Sequence, residues 1–328
     1  MSVLLGDGLV VSDQGFGGMA LADVYGQADR AESLATLHHA IDAGVTFLDT
    51  ADIYGDGSNE TLLGEVLRTR RDEVVLATKF GITERDEEGL RSRGDPAYVR
   101  SAIQASLHRL SVERIDLYYY HRVDPRVPIE ETIGALAELV REGLVAHVGV
   151  SEVTGIELER ANAVHPIAAV QSEWSVWSRD VEDHVVPTAT RHGIGFVAYS
   201  PLGRGFLAAP LDDLGPDDLR RNFPRFDDER ITANRAIAAA VRSVAEAEGA
   251  TPAQVALAWL YERGRRLGVA VVPIPGTRKA ARIDENSAAV DLRLGEESIA
   301  VLDGLASTVV GDRARDARWI SQGRERDS

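Results

Sequence analysis

Eight short apolar runs, recurring at a near-regular interval, constrain this chain more than any other feature. They are Phe16–Met19, Val45–Leu48, Val74–Thr78, Asp116–Tyr120, Val145–Val150, Ala168–Gln171, Gly195–Tyr199 and Ala270–Pro273. Their starts are 29, 29, 42, 29, 23, 27 and 75 residues apart. Most show no alternation of apolar and polar positions, the pattern of parallel strands buried on both faces. Amphipathic segments fill the gaps. Leu34, Leu37 and Ile41 share one face and stop at Gly44. Asp95 can cap a helix with Pro96 at its first position and a stripe of Val99, Ile103, Leu107 and Leu110. Ile129, Ile133, Leu136 and Val140 follow Pro128 and stop at Gly143. Eight alternating β and α units indicate a (β/α)₈ barrel rather than a doubly wound sheet.

Three pieces fall outside the repeat. Residues 3–12 read as a hairpin over the bottom of the barrel, and 295–305 as an extra helix. The widest gap holds a Gly/Pro/Asp-rich loop from about Gly203 to Ile231. The 328 residues are expected to form one domain, 1–328, with a mobile, solvated tail after about residue 307 carrying Arg313, Arg315, Arg318, Arg324 and Arg326. With 44% hydrophobic residues the chain can bury a large core. The absence of cysteine excludes disulfides, thiolate metal sites and cysteine nucleophiles. A formal charge of −16, from 36 basic and 52 acidic residues, argues against general affinity for nucleic acid or anionic membrane. There is no leader-like start and no apolar run long enough to span a bilayer, so a soluble cytoplasmic protein is the expectation.

In such barrels chemistry sits on the loops that follow the strands. Here nearly every run delivers a polar side chain to that rim: Asp49 and Tyr54, Lys79, His121, Ser151 and Glu152, Gln171, Ser200 and Arg204, then Thr277 and Arg278. Any one alone means little; their convergence is the signal. A tyrosine is a poor acid at neutral pH, with a reference pKa of about 10. A nearby ammonium favours the phenolate, and a buried ammonium needs a carboxylate such as Asp49. With His121 donating to a substrate oxygen, the set reads as a proton-donor site for a developing alkoxide. No metal is expected, because the rim offers only one histidine.

Phe47 to Gly55 with Asn59 and Glu60, Ala77 to Gly81, Tyr120-His121, Gly149 to Ser151, Gln171 to Glu173, Ala198 to Gly203 and Ile274 to Thr277 resemble the aldo-keto reductase superfamily, in order over about residues 15–290. They are most similar to its microbial and plant branch. The resemblance implies an NADPH-dependent carbonyl reductase with a small-molecule substrate. It makes Tyr54 the general acid, Lys79 the group that lowers its pKa, Asp49 the partner of Lys79, and His121 the group that orients the carbonyl. It also implies cofactor contacts. Asp49, Gly18 and Met19 are among them, with Ser151 and Gln171 on the carboxamide and Tyr199 stacked on the ring. Ser200, Leu202, Gly203 and Arg204 line the pyrophosphate, and Gly276, Thr277, Arg278, Arg282, Glu285 and Asn286 the adenosine end. Thr277 and Arg278 are expected to open the last barrel helix, where free N–H groups favour phosphate. Arg278 and Arg282, four apart, would form a clamp.

Two positions depart from the family's pattern. Glu152 stands where many members carry Asn, and Gly276 where many carry Lys. A regulatory nicotinamide-binding subunit of the same fold is the alternative reading. Gly15 to Ala20 fits Gly-x-Gly-x-x-Ala, but no helix is expected to open there, which argues against a dinucleotide fingerprint. Trp174 and Trp177 either line the pocket or pack loops, and Trp319, in the tail, either reaches the pocket or is disordered with it. The sequence leaves the substrate and the oligomeric state open.

Overall fold

The structure, a computed structural model, describes residues 1–86, 89–211, 214–215 and 218–325. The chain opens with an antiparallel hairpin, β1 (Ser2–Leu4) and β2 (Val10–Ser12). The barrel follows: β3 (Gly15–Gly17), β4 (Phe47–Asp49) and β5 (Val75–Phe80). A second antiparallel hairpin, β6 (Ile82–Asp86) and β7 (Gly89–Ser92), interrupts it. Then come β8 (Ile115–Tyr120), β9 (Val145–Ser151), β10 (Ile167–Glu173), β11 (Gly195–Tyr199) and β12 (Val271–Pro273). The eight barrel strands pair in parallel in the order β12-β11-β10-β9-β8-β5-β4-β3. Gly17 N–H donates to Pro275 O at 3.4 Å across the remaining seam. That seam requires glycine: a Cβ on Gly17 would sit 2.6 Å from Ile274 O.

The helices are those the stripes predict. In α1 (Arg30–Asp42) Leu37 and Ile41 are buried, and Gly44 at φ +82° turns the chain back. After α2 (Ser58–Arg70), α3 (Pro96–Leu110) begins at Asp95, whose carboxylate accepts from Tyr98 N–H at 3.0 Å; Val99, Ile103, Leu107 and Leu110 are buried. In α4 (Ile129–Arg141) Ile129, Ile133 and Leu136 pack inward, and Gly143 at φ +77° follows it. Helices α5 (Gly155–Val164), α6 (Val185–His192), α7 (Asp228–Glu248), α8 (Pro252–Leu267) and α9 (Ala280–Ser287) complete the ring, and α10 (Glu296–Leu305) is the extra helix. Among the described residues no helix is long and apolar enough to cross a membrane.

The apolar interior divides in two. The larger cluster lies between strands and helices. A smaller one fills the bottom of the barrel, where Leu5, Leu9 and Val11 of the N-terminal segment meet Phe47, Leu117, Tyr119 and Val197. The hairpin therefore plugs the end opposite the polar rim. The glycines at 15, 17 and 18 lie in β3 and a following 3₁₀ turn, and the first long helix starts only at Arg30, so no dinucleotide fingerprint forms. The long loop before α7 holds three short 3₁₀ turns and packs through Phe206 and Phe226; its residues 212, 213, 216 and 217 lie outside the described residues. The segment after residue 307 folds back to the barrel rim and ends in a short helix, α11 (Ser321–Glu325). Arg313 there is buried, contrary to the reading of these arginines as a solvated end; Arg326 lies outside the described residues.

Candidate active site

The strand ends converge on one cavity of about 940 Å³. Asp49, the last residue of β4, and Lys79 in β5 are buried side by side beneath it, and Lys79 Nζ donates to Asp49 Oδ1. Nζ also donates to Thr50 O at 2.8 Å, and Gln171 Nε2 donates to Asp49 Oδ2 at 2.8 Å. The carboxylate is thus fully engaged, as a buried charge must be. Nζ lies 5.2 Å from the centre of the Tyr54 ring. His121, immediately after β8, meets that ring edge-on at 6.1 Å. Its Nδ1 is buried with no partner.

The electrostatics suit a neutral donor pair. Burial alone would lower the pKa of Lys79, but Asp49 and Tyr54 carry it above its ordinary value, so it stays an ammonium. Burial pushes the Tyr54 phenol up and Lys79 pulls against it; the balance is upward rather than down, and Tyr54 holds its proton at neutral pH. Burial, Arg122 and Lys79 drive His121 well below its usual range, so the ring is neutral and has one N–H to give.

The cavity wall also includes Met19, Ser151, Gln171, Tyr199, Ser200, Leu202, Arg204, Gly276, Thr277, Arg278 and Arg282. Gly18 and Gly203 lie beside it without lining it. Glu285 and Asn286 also stay out of the wall; Glu285 bonds Arg282 at 2.6 Å, and Asn286 is buried. Gly276 explains one departure from the family's pattern: a Cβ there would lie 2.5 Å from Gly17 O.

Two readings of the adenosine end need correction. The last barrel helix starts at Ala280, so Thr277 and Arg278 precede it rather than open it. Arg278 is not half of a free clamp, because its guanidinium donates to Ala20 O at 2.8 Å, Gln27 O at 2.9 Å and Gly26 O at 2.6 Å. It braces the loop after β3. The first turn of α9 has no side-chain cap and no acidic residue, leaving N–H groups for an anion.

Glu152 is a site the sequence reading left open. Its backbone sits at φ +50°, and the side chain is fully buried. One oxygen accepts from Tyr199 Oη at 2.8 Å, Glu173 N at 3.1 Å and Arg313 Nη1 at 2.9 Å. The other accepts from Arg313 Nη2 at 3.1 Å and Ser321 N at 3.0 Å. Burial would raise its pKa, but Arg313 reverses this and holds the carboxyl well below the usual range. Arg313 also bonds Asp180 at 3.0 and 2.7 Å. Sequence reasoning missed this ion network. It did not decide among the tryptophans either. Trp174 donates to Glu182 and Trp177 stacks on Phe206 at 4.7 Å, both packing the loops, whereas Trp319 lines the cavity.

A comparison with known families now decides the matter: the model of the aldo/keto reductase family matches residues 14–307. The chain belongs to the aldo/keto reductase family. Solved structures agree. The glycerol dehydrogenase of Gluconobacter oxydans is similar with a TM-score of 0.82 and 26% identity, over 95% of this chain and 96% of that one. An aldo-keto reductase from Bacillus halodurans, in its holo form, gives 0.77 and 28% over 96% and 99%. A thermostable aldo-keto reductase in complex with the inhibitor epalrestat gives 0.73 and 27% over 93% and 99%. This aldo/keto reductase family member is therefore an oxidoreductase built on a (β/α)₈ barrel, with carbonyl reduction as its general chemistry.

Proposed function

We propose that this family member, acting as one barrel domain, reduces aldehyde or ketone carbonyls to alcohols with NADPH. The observation that carries the reading is the floor of the cavity: Tyr54, the buried Lys79–Asp49 pair behind it, and His121 beside it. When bound, the reduced nicotinamide supplies a hydride to the carbonyl carbon. His121 donates a hydrogen bond that orients the carbonyl oxygen, and Tyr54 delivers its proton as the alkoxide develops. Lys79 then faces a phenolate, which its charge stabilises; Asp49 keeps Lys79 charged and in place.

The cavity fits the cofactor. Ser151 and Gln171 offer polar groups at the nicotinamide end, and Tyr199, fixed by Glu152, offers an aromatic face. Ser200, Leu202 and Arg204 line the stretch that would carry the pyrophosphate. At the far end Thr277, Arg282 and the start of α9 would read the 2′-phosphate. Arg282 would exchange Glu285 for it at modest cost, since its own side chain is half-exposed.

Fluorescence titration with NADPH and NADH, followed by turnover assays on simple aldehydes, tests the proposal. Preference for NADPH with steady turnover is expected. Binding without turnover would instead favour a regulatory subunit, and tighter binding of NADH would refute the cofactor assignment.

A further inference from the structure

Arg122 in the cavity wall has no carboxylate partner among the described residues. Arg122 follows His121 directly and is only 9% exposed. Its Nη1 donates to His121 O at 2.7 Å and to Ser151 Oγ at 3.2 Å. Its Nε is buried with no partner, and among the described residues Nη2 makes no hydrogen bond and no carboxylate pairs with the guanidinium. The guanidinium carbon stands 5.9 Å from the centre of the Trp319 ring. The nearby acids are already engaged. Glu152 and Asp180 hold Arg313, and Asp49 holds Lys79. Other arginines of the wall are committed too: Arg220 pairs with Asp218, Arg282 with Glu285, Arg315 with Asp227, and Arg278 with three carbonyls. Arg204, which also lacks a carboxylate, lies over Phe223 in the stretch assigned to the pyrophosphate.

Keeping a guanidinium buried and unpaired is costly. The cost is removed when a ligand supplies the missing anion. The uncommitted edge, Nε with Nη2, presents two parallel donors, the geometry that takes a carboxylate side-on. We propose that Arg122 recognises a carboxylate carried by the carbonyl substrate, so that this site selects carboxylate-bearing aldehydes or ketones. The proposal rests on Tyr54 and His121 holding the carbonyl as described above, because Arg122 is the residue next to His121. The Trp319 ring stands on the tail side of the guanidinium.

Matched probes test this. 4-Formylbenzoate and its methyl ester share one ring and one carbonyl, and the ester is the more electrophilic aldehyde. 4-Oxobutanoate and its methyl ester form a second pair with a shorter reach. The readout is the ratio of kcat/KM for acid over ester in the wild type, Arg122→Met and Arg122→Lys. In at least one pair the wild type should favour the acid. Arg122→Met should cut that ratio by about 10- to 100-fold, the span expected for a charge-assisted hydrogen-bond pair. Arg122→Lys, which keeps the charge but not the fork, should lose less and carries the test if the methionine variant does not fold. Wild-type ratios at or below one in both pairs, or a ratio unchanged by the substitutions, would overturn the proposal. So would a fall in NADPH affinity with the ratio unchanged, which would assign Arg122 to the cofactor. If the wild type reduces none of the four aldehydes, the reductase reading fails separately. Calorimetric titration of the NADP⁺-loaded protein with benzoate then decides: binding by the wild type that Arg122→Met loses upholds the carboxylate site, and equal or absent binding overturns it.

Discussion

Replacing Arg313 with methionine probes how the C-terminal segment is held against the site. The guanidinium makes two hydrogen bonds to Asp180, at 3.0 and 2.7 Å, and two to Glu152, at 2.9 and 3.1 Å. All three side chains are nearly or fully buried. Methionine keeps much of the bulk and deletes every one of those bonds, leaving two carboxylates facing each other out of water. Breaking a buried ion pair from one side costs about 3–5 kcal/mol. At about 2.1 cal/mol/K of unfolding entropy per residue, that is a fall of about 4–7 °C in Tm for a chain of this size. The loss should depend on pH with a definite sign. In the native protein Arg313 holds the Glu152 carboxyl low, so the stability it confers is present above the unfolded pKa and is lost as pH falls. Without Arg313, burial dominates and the Glu152 pKa rises. The variant then gains relative stability as pH falls through that raised value, and its deficit shrinks between pH 8 and pH 5. Calorimetry at both pH values, with limited proteolysis to report release of residues 309–325, measures this. A variant that melts within a degree of the wild type at pH 8 and keeps its tail protected would refute the reasoning.

Lys79→Met should lose both activity and about 3–5 kcal/mol of stability, because Asp49 would keep only Gln171 as a side-chain donor. The alkaline limb of its pH–rate profile should move to higher pH, since the charge that pulls the Tyr54 pKa down is gone; an unmoved limb in a still-active variant would separate Lys79 from the acid. Asp52 lies behind the site with Oδ1 buried and unpartnered, and burial together with Glu60 pushes its pKa up to about 7. Its folded pKa is raised, so its contribution is fully present below about pH 4 and is lost as pH rises through 7. Asp52→Asn should therefore raise Tm at pH 8, with a gain of about 2–4 kcal/mol that fades toward pH 5, and equal shifts at both pH values would contradict this.

The barrel and the floor of its cavity were legible because each is written locally. Strands buried on both faces leave continuous apolar runs. Asp95 and Pro96 announce α3 within two residues. Asp49, Lys79 and His121 stand at or next to ends of such runs, so the topology alone brings them together. The remainder depends on pairings that local sequence does not carry. Arg313 is one arginine among five in a polar stretch, and its partners Glu152 and Asp180 lie 161 and 133 positions away. Arg278 sits where a phosphate ligand would be sought, yet the carbonyls it holds belong to Ala20, Gly26 and Gln27. The hairpin Ile82–Ser92 escaped because its strands are short and mostly polar in sequence, with no apolar run to read.

The central claim is that Tyr54 gives the proton that completes carbonyl reduction, and Tyr54→Phe tests it most directly. The substitution removes one oxygen and keeps the ring that packs near Lys79 and His121. NADPH oxidation should be followed under single-turnover conditions with a saturating aldehyde, beside a fluorescence titration of NADPH. The account predicts that the rate falls by about 10²–10⁴-fold, the usual worth of a general acid, while the Kd for NADPH stays within twofold of the wild type. A Tyr54→Phe protein that turns over at close to the wild-type rate would contradict it.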